Sequence, residues 1–185
     1  SQAAKAADAT TVQVTQGYAI NAILDLAAGT LDAVETLTLT NRAYRSIDHL
    51  NLSVIPRALG YLAMDEAVTV DGEEVATQWT TTTNLRVPLP KRLAPNATAE
   101  IRIPFHLAVG ASGGAFSARL SRDNGVISLG EWFPILSRPH DSYGVGDPQV
   151  SYNAERIRLD LTSTSPLGRH AVACPGLTIA PATTG

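Results

Sequence analysis

The feature that most constrains this chain is a strict alternation of apolar and other residues with a period of two. Tyr18, Ile20, Ala22, Leu24 and Leu26 are interleaved with Ala19, Asn21, Ile23 and Asp25, a spacing that puts the first set on one face of a β-strand. Ala28-Gly29-Thr30 then supplies a turn, and Leu31 to Asn41 resumes the alternation with many Thr and Val residues. Residues 18–41 therefore read as a hairpin. Further runs are Leu50 to Val54, Val68 to Val70, Leu85 to Leu89 and Ile157 to Leu161. The clearest runs from Ala99 to Val109, where Ile101, Ile103, Phe105 and Leu107 share one face and Glu100, Arg102 and His106 the other. Asp123-Asn124-Gly125 marks a second hairpin turn, and Gly, Pro and Asn punctuate the runs. The expectation is an all-β, antiparallel β-sandwich forming a single domain. The helix candidate of any size is Arg57 to Ala67, which is short, uncapped and interrupted by Gly60.

Composition narrows the function classes. Acidic and basic residues are interspersed and sum to a net charge of -3, so the chain lacks the electrostatic footprint of a nucleic-acid binder. No window holds the roughly 18 to 20 consecutive apolar residues that cross a bilayer as a helix. The single cysteine, Cys174, excludes an intrachain disulfide and a Cys-based zinc site. It reads as a small apolar residue near a strand end. The opening residues, Ser1 to Asp8, lack Met and an apolar signal core and read as a trimmed, Ala-rich linker.

Motifs for chemistry are sparse. His49, His106, His140 and His170 are followed by Leu, Leu, Asp and Ala, so the H-E-x-x-H arrangement of zinc peptidases is absent. These histidines read as surface or strand-edge residues. Gly110-Ala111-Ser112-Gly113-Gly114 spells the G-x-S-x-G of a hydrolase nucleophile elbow, but that device needs a helix after the serine. Residues 115–120 alternate like another strand, so a Gly-rich connection is the reading. Asp141 to Asp147, with Gly144 and Gly146, has too few carboxylates for a calcium loop. Asn51-Leu52-Ser53 and Asn96-Ala97-Thr98 match glycosylation acceptors and carry no weight.

Taken in order, the pieces resemble the N-terminal domain of the membrane alanine aminopeptidase family of zinc peptidases. They are Tyr18 to Leu26, the Thr-rich Thr36 to Asn41, Val68-Thr69-Val70-Asp71-Gly72, Leu85 to Pro90 with Leu93-Ala94-Pro95-Asn96, and the strand at Ile101. Gly130-Glu131-Trp132-Phe133-Pro134 is similar to a Trp-Phe-Pro segment of several members, and Ala171 to Gly176 sits where that domain closes. The resemblance implies a saddle-like β domain over residues 12–180, preceded by a linker at 1–11 and followed by a tail at 181–185 toward a catalytic domain.

In such a protein this domain is non-catalytic, packs on the catalytic domain of the same chain and helps shape the substrate entrance. Peptide substrate is met through the parent, zinc belongs to the catalytic domain, and this chain holds no cofactor. Some members use a Glu or Gln of this domain to hold the substrate's amine. That motif is not reproduced here, and Glu131 is the candidate for the role, against an ordinary exposed Glu. Trp132, Phe133 and Pro134 are the interface candidates, against aromatics that plug the core. The rival readings are a stand-alone secreted β-sandwich binding module, a domain of a catalytically inactive homologue, and a serine hydrolase using Ser112. The compartment is open, with an extracytoplasmic or cell-surface location favoured.

Overall fold

The computed structural model describes residues 14–110, 120–123, 126–137 and 156–164. The expected first hairpin is present as β1 (Val14–Asp25) and β2 (Thr30–Asn41), joined through Gly29 at φ 76°. There follow β3 (Ile47–Ser53), the single helical turn α1 (Ile55–Ala58), β4 (Leu62–Ala63), β5 (Val68–Val70), β6 (Glu73–Val75), β7 (Gln78–Trp79), β8 (Asn84–Leu93) and β9 (Thr98–Ala108). The described strands end with β10 (Leu120–Asp123), β11 (Val126–Leu129), β12 (Ile135–Leu136) and β13 (Arg156–Ser163).

One sheet has the order β13-β1-β2-β9-β5-β6, with β4 also paired to β9, and a second has the order β12-β3-β8-β7. A separate hairpin pairs β10 with β11, as expected, its connecting residues lying outside those described. The two larger sheets contribute to one buried apolar cluster, so the all-β, sandwich-like expectation is met. Strand β2 lies at the centre of the first sheet, paired along its length with β1 on one side and β9 on the other. Its inner face and those of its neighbours bury Ile20, Leu31, Leu37, Leu39, Ile101, Ile103 and Leu107, opposite Leu50, Leu52 and Leu85 of the second sheet. Each such side chain stabilises by about 1.5–3 kcal/mol relative to exposure. Glu100 and Arg102 are exposed on the other face, so the expected register of β9 holds.

Two expectations are corrected. The pairing is not wholly antiparallel, because β13 runs parallel to β1 with Tyr18 opposite Ile157 and Ala22 opposite Leu161. The chain reaches β13 after β12, in the other sheet, and so returns to the edge of the first by a crossover, the connection a parallel pair requires. The helix expected from Arg57 to Ala67 is only one turn. It begins at Ile55 with Pro56 in its first turn and no side-chain cap, and Gly60 at φ 72° ends it. Leu62 and Ala63 then pair with Leu107 and His106 of β9, because ladder hydrogen bonds and burial of Leu62 outweigh a weak helix propensity.

An ionisable side chain interrupts the apolar inner face. Glu35 lies on β2 opposite Ile20 of β1 and Ile103 of β9, is 0% exposed, and neither carboxyl oxygen has a hydrogen-bond partner. Burial raises its pKa well above the ordinary carboxylate value, because desolvation penalises the charged form. The folded chain therefore keeps a proton that the unfolded chain releases above the ordinary Glu range. Stability from this group is fully present below that range and falls as pH rises toward the folded-state pKa, by about 1.4 kcal/mol per pH unit within the window. Chemical denaturation of Glu35→Gln should show that slope removed and the variant gaining on the wild type as pH rises above the ordinary carboxylate range. Parallel pH profiles for the two proteins would contradict the assignment.

Candidate functional site at the Glu131–Pro134 crossing

Between β11 and β12 the chain crosses the core, and the segment singled out in the sequence makes the crossing. Glu131 has φ 54°, a left-handed backbone that costs a non-glycine residue of order 1 kcal/mol or more. That turn takes residues 131–134 out of strand alternation, which is why the adjacent Trp132 and Phe133 both point inward. Trp132 is 6% exposed and Phe133 5%. Their rings stack edge to face at 5.5 Å between centroids. Phe133 meets Tyr18 of β1 at 5.6 Å, and Trp132 meets Phe105 of β9 at 6.0 Å. Such pairs add about 0.5–1.5 kcal/mol each beyond the area they bury.

The crossing is also pinned by polar groups. The amide of Leu136 donates to the Tyr18 hydroxyl at 3.0 Å, Ser137 N donates to Asn51 O at 2.8 Å, and Ile135 pairs with Ser53 of β3. Tyr18 lies opposite Leu37 and Phe105 opposite Ala33. Glu35 stands midway on β2 between those two levels, so the four-ring path from β1 to β9 spans the strand that carries the buried carboxyl.

The site residues expected from the sequence therefore sit together, but inside. Trp132 and Phe133, with Pro134, are buried within this domain, so neither ring stands on its surface. Glu131 is itself 6% exposed, which overturns the alternative of an ordinary exposed Glu. The two described histidines are strand residues with acidic neighbours: His106 Nδ1 lies 2.7 Å from Asp32 Oδ1, and His49 Nδ1 lies 2.6 Å from Asp48 Oδ1. Among the described residues no group of three or more His, Cys, Asp or Glu is placed to hold a metal ion. Ser112, the 141–147 loop, His140, His170 and Cys174 lie outside the described residues. Sequence reading missed Glu35, although its position in the row Leu31, Ala33, Glu35, Leu37, Leu39 was the available signal.

No protein-family model matches this chain, and no curated protein matches it. Its fold is found in solved structures. A variant of a two-domain M1 zinc metallopeptidase bound to L-tryptophan matches with a TM-score of 0.52 at 19% identity, over 66% of this chain and 29% of that one. A structure of a two-domain M1 zinc metallopeptidase variant bound to L-arginine matches with a TM-score of 0.52 at 17% identity, over 80% of this chain and 33% of that one. The likeness is one of fold, and this chain spans a third or less of the length of either protein.

Substitution at Glu131 separates backbone strain from side-chain role. Glu131→Gly and Glu131→Ala both lose the carboxylate, but only glycine accepts φ 54° freely. Thermal or denaturant unfolding should find the glycine variant more stable than the alanine variant by about 1 kcal/mol. Equal stability of the two would show that the turn relaxes without cost.

Proposed function

We propose that this chain is the non-catalytic N-terminal β domain of a zinc aminopeptidase. It packs on a catalytic domain of the same polypeptide and helps to wall the substrate entrance. The observation that carries the reading is the fold likeness over 80% of this chain to a protein of which it spans 33%. A β domain that matches so small a share of a two-domain peptidase has its counterpart in one part of that protein. Such a part acts by shape: the rigid core built around Tyr18, Phe105, Trp132 and Phe133 holds loops and strand ends in fixed positions, and catalysis rewards fixed positioning.

Among the described residues none are grouped to hold the zinc implied by that fold. The sequence has no H-E-x-x-H, His106 and His49 are each engaged by an Asp, and His49 Nε2 also lies 2.9 Å from Arg86 Nη2. Zinc needs three or four converging ligands, and the metal is assigned to the companion domain. The purified chain should hydrolyse no aminoacyl substrate and should carry less than stoichiometric zinc by elemental analysis. One tightly held zinc per chain, with turnover lost on chelation, would overturn the non-catalytic assignment.

A further inference from the structure

One end of the domain displays a basic and aromatic surface built on a single buried side chain. Asn41, 0% exposed, closes β2. Its Nδ2 donates to Arg45 O at 2.8 Å and to Leu93 O at 2.9 Å, and its Oδ1 accepts from Ala43 N at 2.9 Å. Its backbone N donates to Ala97 O and its carbonyl accepts from Asn96 N. The loop at 42–46 is thereby tied to the end of β8, with Ala43 buried beneath it.

What this scaffold holds out is charged and aromatic. Tyr44 is 72% exposed, with the Arg45 guanidinium 5.0 Å from its ring centroid, and Arg42 is exposed beside it. On β8 the ladder slips between the Ile47–Leu93 and His49–Pro88 pairs, leaving the exposed Lys91 and Arg92 in the irregular stretch. Asp48 is the acid nearest in sequence to this slip, and it is engaged by His49. In a chain of net charge -3, Arg42 and Arg45 flank the exposed Tyr44 in sequence, and Lys91 and Arg92 stand on the strand end that Asn41 ties to that loop, where the acid Asp48 lies within the field of Arg92.

We propose that this end is a docking surface for an acidic segment of a protein partner. Arg and Tyr are the residue types that dominate interface energetics, whereas Lys is depleted there. The guanidinium fork pairs with carboxylates in two parallel hydrogen bonds. Because Asn41 already fixes the loop, binding has little ordering entropy left to oppose it. An extended polyanion or a flat anionic bilayer is disfavoured by what stands at the same end. Asp71 N donates to Glu100 O, and Glu100 N donates to Asp71 Oδ1. This holds the exposed Asp71, Glu73 and Glu74 beside the start of β9, close in the chain to Ala97. A short acidic segment brings less negative charge toward these carboxylates than a polyanion or a bilayer does.

The surface does not depend on the reading of the chain as a peptidase domain, and its test uses no catalytic domain. The 185-residue chain is titrated against a fluorescein-labelled oligoglutamate peptide at low salt, with phosphatidylserine vesicles and a single-stranded DNA oligonucleotide as parallel arms. Saturable peptide binding is expected, weakening as salt rises. Tyr44→Ala, Arg45→Ala and Arg92→Ala should each weaken it by about tenfold, while Arg158→Ala, on the outer face of β13, should leave it unchanged. No saturable binding, binding that the Tyr44 and Arg45 substitutions leave untouched, or tighter binding to the vesicles or the DNA than to the peptide would each overturn the proposal.

Discussion

The fold depends on the aromatic contact that carries the chain across its own core. Tyr18, Phe133, Trp132 and Phe105 form a continuous path of ring contacts from β1 to β9, and the Tyr18 hydroxyl accepts from Leu136 N of β12, one residue after the chain joins the second sheet at Ile135. Neither sheet alone could exclude water from its inner face. The crossing brings β12 against β3 and covers the central strand of the other sheet, which is how one chain of modest size encloses both in a single core. The strained backbone at Glu131 is the local cost of turning two adjacent rings the same way.

Strand register explains why an ionisable group sits inside. Glu35 follows the inward parity of its strand, between residues that are themselves buried, so the register that buries Leu31, Leu37 and Leu39 must bury it too. A one-residue slip to expose it would expose those leucines as well. The molecule keeps the register, and burial favours the protonated form of the carboxyl.

Sequence reading reached the long strands because their period is unambiguous: β1, β2 and β9 each alternate over many residues. It could not reach features set by partners distant in sequence. Ile157, Leu159 and Leu161 alternate whichever direction the neighbouring strand runs, so the parallel pairing of β13 with β1 left no local mark. The run from Arg57 to Ala67 carries enough helix formers to suggest a helix, yet Leu62 is claimed by Leu107, far along the chain. The inward turn of both Trp132 and Phe133 was hidden because a positive φ at a glutamate has no residue signature, unlike the Asp71-Gly72 turn. There φ is 51° and 84°, as a two-residue hairpin of that composition requires. The same cause bears on Glu131: its burial follows from the crossing, not from its neighbours in sequence.

On the proposed division of labour, this β domain would supply shape and a companion domain the zinc chemistry. Mass-spectrometric peptide mapping of the intact protein as cells make it, read onward past Gly185, tests that division most directly. The account predicts a downstream His-Glu-x-x-His segment on the same polypeptide. A mature protein that lacks such a segment throughout its length would contradict it.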